Sequence, residues 1–266
     1  MQYRQTSRGI VLMAAMTAVC GSSMAAARDE FPQFRGMSGF PGSMFPVTMN
    51  GRYHPHGALS ISTPTAYPLA QHQYVVGVSV LSRDGRLRYE TKSRGGVERG
   101  NGSAQFMAGL PIADALDLSA SYMVLSSIGD GALNAALSPR LADPRWRFAL
   151  GLQDLGGGGG ARGVGQPGEG RTSRSFFAVV TGQVSDRIHA SVGTGTRRFE
   201  GVFANASMAL APHWNAALEF DTFGWNIGVA HTFDLGRPSS HPSAKASVFL
   251  GWMEGRKAVW GVNVGF

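Results

Sequence analysis

From Gln73 onward, apolar side chains fall on every second residue in runs of about ten, separated by clusters of glycine, proline and polar residues. A repeat of two places neighbouring side chains on opposite faces of an extended strand. The last run shows it most clearly. Between Lys257 and Phe266, one face carries Ala258, Trp260, Val262, Val264 and Phe266, and the other carries Gly261, Asn263 and Gly265 with Val259. Ala244 to Trp252 sets Ala246, Val248, Leu250 and Trp252 against Lys245, Ser247 and Gly251. Trp214 to Thr222 sets Ala216, Leu218 and Phe220 against Asn215, Glu219 and Asp221, and Leu116 to Val124 alternates in the same way. One face suits hydrocarbon, and the charges fall on the other, where they are not exposed to lipid.

Twelve such strands are predicted, over 73–82, 102–110, 116–126, 131–139, 146–154, 173–183, 188–197, 202–210, 214–222, 225–233, 244–253 and 257–266. An even number lets a single chain close on itself with no unpaired edge. The fold class expected is therefore all-β, an antiparallel transmembrane barrel of about twelve strands, within a range of 10–14. If Phe266 ends in the periplasm, the long connections Arg83 to Asn101 and Leu155 to Thr172 lie outside. Leu110 to Leu116, Val184 to Ile188 and Leu210 to Trp214 become periplasmic turns, and the Pro- and Ser-rich Asp234 to Ser243 is a longer periplasmic connection. Trp146, Trp214, Phe233 and Phe266 then lie near the periplasmic interface and Trp225 and Trp252 near the outer one, as interfacial aromatics do.

The start of the chain reads differently. Residues 1–27 have the three parts of a secretory signal: Arg4 and Arg8, the apolar run Gly9 to Val19, and small residues ending at Ala25, Ala26 and Ala27. Cleavage is expected after Ala27, and the protein is expected in the outer membrane with both termini periplasmic. Residues 28–72 are rich in Gly, Pro, Met and Phe, with one strand-like stretch at Ala58 to Ser62. This segment could fill the lumen, cover the periplasmic mouth or add strands, and its pattern leaves all three open. The barrel domain proper is 73–266.

Composition agrees with that reading. The chain is 43% hydrophobic and only 15% charged, with 37 glycines, which is neither a disordered composition nor a charge-coated soluble surface. Loss of Arg4 and Arg8 takes the formal charge of +7 to about +5. The cations form no aromatic-interleaved stripe, so nucleic acid is not expected as a partner. The single cysteine, Cys20, lies within the signal, so closure must come from backbone pairing and burial without disulfides.

Four groups of residues together resemble a family. Gly57 to Ala66, GALSISTPTA, looks like the G-x-x-x-x-P-T-A motif of the YjbH-like outer-membrane proteins associated with exopolysaccharide and capsule production. Leu150 to Gly157 is similar to that family's strand ending in Asp and a Gly-rich turn. Gly193, Gly195, Arg198, Phe199, Gly201 and Phe203 resemble its next hairpin, and Glu219, Asp221, Asn226 and Gly228 follow in order. Where the family has a Ser-Lys pair, this chain has Gly182 and Gln183. The resemblance implies a non-enzymatic barrel, accessory to exopolysaccharide or surface-glycan assembly or export. The implied partners are polysaccharide or its export proteins.

The lumen polar candidates are Arg147, His189, Arg197, Glu219, Asp221, Asn226, Lys245 and Asn263. As lumen charges and amides they set pore width and selectivity, which gives a second reading as a small-solute, porin-like channel. A third, lipid-modifying hydrolysis, would use His189 and Ser191 with Glu200, but those two side chains face inward while lipid lies outside. His54, His56 and His72 lack an accompanying carboxylate, so no metal is expected. Gly156 to Gly160 lacks the Lys-Ser/Thr and helix of a phosphate loop, so no cofactor is expected either. The loop from Arg83 to Arg99 is net positive and suits anionic lipopolysaccharide or an acidic polysaccharide.

Gly261, Val264 and Phe266 fit a C-terminal insertion signal, G-x-x-Ω-x-Ω, of the kind the barrel-assembly machinery would read, with Val264 in place of an aromatic. Deleting Phe266 is expected to lower the level of inserted barrel in membrane fractions. Normal levels would remove that role.

Overall fold

The computed structural model describes residues 34–82, 102–125, 130–143, 145–157, 174–236 and 244–266. Twelve strands alternate up and down: β1 Tyr74–Leu81, β2 Gly102–Ala113, β3 Leu116–Leu125, β4 Asp130–Pro139, β5 Trp146–Gln153, β6 Ser175–Ser185, β7 Ile188–Gly195, β8 Gly201–Ala211, β9 Trp214–Phe220, β10 Trp225–Asp234, β11 Lys245–Met253 and β12 Lys257–Gly265. Each falls on a run predicted from the alternation, with ends shifted by a residue or a few. Every strand pairs antiparallel with its sequence neighbours, and β1 closes on β12 from Val75↔Gly265 to Leu81↔Val259. Closure leaves no row of unpaired amides facing lipid, the condition a sheet must meet to stand in a bilayer.

The burial pattern follows the period of two. In β11, Val248, Leu250 and Trp252 are exposed while Ser247, Phe249 and Met253 are buried, and in β10 Ile227 and Phe233 are exposed while Asn226, Ala230 and Thr232 are buried. The exposed apolar side chains form an outer belt. Trp146, Trp214, Phe233 and Phe266 mark one end of it and Trp252 the other.

The two ends differ. At the end where Phe266 lies, β2–β3, β6–β7 and β8–β9 are joined by tight turns, each preceded by a register shift, at Pro111/Ala113, Gln183/Ser185 and Ala209/Ala211. A bulge sharpens local twist, which helps a wide sheet turn back tightly. At the opposite, loop end the fully described connections are 196–200, 221–224 and 254–256. Both long loops singled out from the sequence, the Arg-rich one and the Gly-rich one, lie largely outside the described residues, as does the signal segment.

Twelve strands enclose more space than their own inward side chains fill. Here that space is occupied by residues 34–72. The segment starts at the loop end with Phe34 and Arg35, turns at the other end around 48–57, returns along Ala58 to Ser62 to the loop end, and comes back down to enter β1. The expectation for the N-terminus concerns residues ahead of Phe34, outside the described set. The described chain begins at the end opposite Phe266.

Residues 34–72, the plug, share an apolar core with the wall of twelve strands. Met44, Leu59 and Ile61 pack with Leu81, Phe249, Met253 and Val259, and Phe40 and Ala66 pack with Phe177, Phe199 and Phe203. Phe45, Val47, Tyr53, Tyr67 and Leu69 pack with Val75 and Met107, and Phe34 and Met37 with Met123 and Ala132. Room for this comes from glycines in the wall. The Phe249 ring lies over Gly228 and the Phe177 ring over Gly151, so closely that a Cβ on either glycine would come within 2.1 Å of ring carbon. The rings thus lie flat against the wall and leave the centre of the lumen to the plug.

Candidate functional site

β9 places Glu219 inward because Leu218 and Phe220 on either side belong to the other face. A carboxylate in a barrel interior must find donors or lose its charge. Glu219 finds them in the plug. It accepts the backbone N–H of Ile61 at 2.9 Å, of Ser62 at 3.0 Å and of Thr63 at 3.1 Å, together with the hydroxyls of Ser62 at 2.7 Å and Thr63 at 2.8 Å. Asn226, on β10, donates from the wall at 3.2 Å. One side chain therefore satisfies three consecutive backbone donors that have no strand partner.

Beyond the end of β9, Asp221 forms the outer half of the same latch. Arg35 donates to it through Nε at 3.0 Å and Nη2 at 3.3 Å, and also pairs with Glu254. Arg198 donates to the carbonyls of Asp221 and Ser62, each at 3.2 Å. Both guanidiniums lie against the Phe223 ring, at 4.7 and 5.3 Å from its centre. Arg35 is 0% and Arg198 1% exposed, so these charges are held by partners and not by water. Burial alone would raise the Asp221 carboxyl, but Arg35 and Arg198, with hydrogen bonds from Asn226 and Arg35, outweigh it and hold the group below its ordinary value.

The rest of the wall grips the plug by single side chains. Ser207 accepts Leu59 N–H, Thr181 accepts Ala66 N–H and Ser119 accepts Leu69 N–H, while Ser121, Gln153 and Ser247 donate to the carbonyls of Gly39, Ser38 and Met44. Asn215 donates to the carbonyls of Pro55 and Gly57 at the turn. The bridges within the plug, Ser43↔Ser60, Val47↔Tyr53 and Val47↔Ala58, pair it with itself. Among the described residues no plug strand joins the wall's sheet ladder.

The residues proposed from sequence fall into three groups. Glu219, Asp221 and Asn226 meet in the latch. Arg147 and His189 are inward but closer to the turn end, where Arg147 donates to the carbonyls of Met49 and Pro139 and lies 3.7 Å from Asp117, and the His189 ring stands edge-on to Tyr67 at 5.6 Å. Asn263 faces the lumen from β12 and accepts from Gln105 at 3.1 Å. Lys245 shares the inward face of β11 with Ser247 and Phe249 and lies at the rim of the turn end, paired with Asp234. Arg197 is a correction. It is exposed and Arg198 is the buried neighbour, because β7 stops at Gly195 and a short 3-10 helix, Arg197–Phe199, resets the alternation.

Ser191, weighed with His189 for hydrolysis, shares a hydrogen bond with Thr181 at 2.9 Å instead. Gly261 is buried and Phe266 exposed at the end of β12, with Val264 between them on the outward face. Missed from sequence were Arg35 and Arg198. Arg198 enters the sequence reading only through the family motif, and Arg35 lies in a segment without periodicity.

No family model matches the chain, and no curated protein matches it. Solved barrels do. The KdgM porin, solved in complex with disordered oligogalacturonate, aligns at 11% identity over 73% of this chain and 98% of its own, with a TM-score of 0.46. An outer membrane channel from Pseudomonas putida F1 aligns at 10% identity over 77% and 99%, with a TM-score of 0.43, and the NanC porin at 9% over 73% and 98%, with 0.41. At these levels the likeness is one of barrel outline.

Two outcomes follow for the latch. Glu219→Ala leaves three buried N–H groups without an acceptor, at roughly 1–3 kcal/mol for each. Trypsin should therefore cut at Arg35 at least about tenfold faster in the variant, with the barrel still migrating as folded on unheated gels; an unchanged rate would show that Glu219 does not hold the plug. Asp221, with its carboxyl lowered in the folded state, stabilises the latch above the ordinary value of 3.8, and this contribution is lost as pH falls below that. Read by hydrogen exchange corrected for its intrinsic pH dependence, protection of the plug backbone around Arg35 should accordingly stay flat from neutral pH to about 5 and fall only below 3.8. A loss near pH 6 would contradict it.

Proposed function

We propose that this protein is an outer-membrane solute channel held shut by its own N-terminal segment. The observation that supports this most is how the plug is attached. All twelve strands take their ladder partners from each other, and apart from the His72 N–H, which donates to the Gly109 carbonyl where the plug joins β1, the plug is held by side chains, so it can leave without opening the wall. A wall left behind would present Ser119, Ser121, Asn134, Thr181, Ser191, Asn205, Asn215 and Glu219 to water, a polar lining suited to passage. The turn end faces the periplasm on the usual rule of short periplasmic turns, which sets the latch of Arg35, Asp221 and Glu254 toward the outside.

A second reading, an accessory of surface-glycan assembly, is favoured by one observation. Two of the segments that resemble the YjbH-like proteins, Gly57 to Ala66 and Glu219 to Asp221, meet each other in the latch. On that reading the closed barrel is an anchor and the plug never leaves.

Planar bilayers separate the two. The intact chain should be silent or open rarely, and Glu219→Ala combined with Arg35→Ala should conduct in discrete steps. Silence of a double variant whose folded migration is normal would end the channel reading and leave the anchor.

A further inference from the structure

The plug is gripped unevenly. β3, β4, β5, β6, β8, β9 and β11 each hold it by at least one side-chain hydrogen bond. On the wall formed by β12, β1 and β2 the plug is bonded at the turn end, where Tyr53 donates to the Tyr74 carbonyl and the His72 N–H to the Gly109 carbonyl. Above it lies a cross-strand row Asn263, Gly77, Gln105, with Ser79 in the next row between Gly261 and Ser103. Ser79 and Asn263 are 0% and Gln105 4% exposed, yet Ser79 Oγ, Gln105 Oε1 and Asn263 Nδ2 have no hydrogen-bond partner in the protein. Facing them, the plug brings the backbone of Gly36, where a Cβ would lie 3.6 Å from Ser79 Oγ, and the thioether of Met44 beside Gly261. Beside Gln105 lies a cavity of about 10 Å³, bordered otherwise mainly by apolar side chains such as Phe45, Val75 and Met107.

Buried hydroxyl and amide groups left unpaired by protein are matched by water or by a hydroxylated ligand. We infer that the face between the plug and β12–β1–β2 is a hydrated seam, and that it is the path along which water and small uncharged hydroxylated solutes pass when the plug loosens. This rests on the channel reading. Ser79, Gln105 and Asn263 supply donors and acceptors without charge. The Phe45–Tyr53 stack, 4.2 Å between ring centres, closes the seam toward the turn end, and Leu81 and Val259 close it toward the loops.

Cysteine accessibility tests it in the full chain carrying Glu219→Ala, with Cys20→Ser as background. Ser79→Cys and Asn263→Cys should react with the small neutral reagent 2-hydroxyethyl methanethiosulfonate at least about tenfold faster than Ser207→Cys, whose hydroxyl is bonded to Leu59. Equal rates at all three would overturn the seam. A second measurement, conductance of the Glu219→Ala and Arg35→Ala double variant with Gln105→Leu and Asn263→Leu added, should fall at least about twofold, and an unchanged value would also overturn it. Asymmetric labelling in a protein that never conducts keeps the hydrated seam and removes the channel. Conduction with symmetric labelling keeps the channel and removes the seam.

Discussion

Burying a carboxylate costs several kcal/mol unless donors surround it, and Glu219 is surrounded only because a chain segment lies across the lumen with Ile61, Ser62 and Thr63 turned toward it. The dependence runs both ways. Those three amides have no sheet partner, and without Glu219 they would be buried and unsatisfied. Wall and plug therefore each complete the other's hydrogen bonding at one point, and Asp221 with Arg35 and Arg198 extends that point to the mouth of the barrel. The remaining contacts, single serines, threonines and asparagines on successive strands, fix the path of the plug between its two ends.

Two kinds of closure operate in this molecule and they are physically separate. Backbone pairing closes the wall against lipid, and it involves the twelve strands alone. Side-chain pairing and shared apolar clusters hold the plug in the lumen. Because the two do not share ladder bonds, the second can change while the first is kept. That separation is what makes a barrel with a filled interior compatible with a channel.

The wall was legible because lipid imposes a strict rule on it. Alternation such as Val248, Leu250 and Trp252 against Ser247 recurs from strand to strand, since a charge or an unpaired amide on the outer face is costly. The plug obeys no such rule. Its backbone is satisfied by side chains distant in sequence, Glu219 for Ile61 and Thr181 for Ala66, and no periodicity records such pairings. Glu219, Asp221 and Asn226 could be placed inward from their strands, whereas the cation that Asp221 holds, Arg35, could not. Arg197 was misplaced for a related reason: alternation stops counting where a strand ends, and the turn at 197–199 hands the inward position to Arg198.

Hydrogen exchange at the amides of Ile61, Ser62 and Thr63, in protein reconstituted into lipid, tests the account most directly. Protection comparable to the strand amides of β9 is the result expected if these donors are bound to Glu219 inside the barrel. Exchange at the rate of a free chain would mean that the segment does not lie in the lumen, and the account built on it would fall.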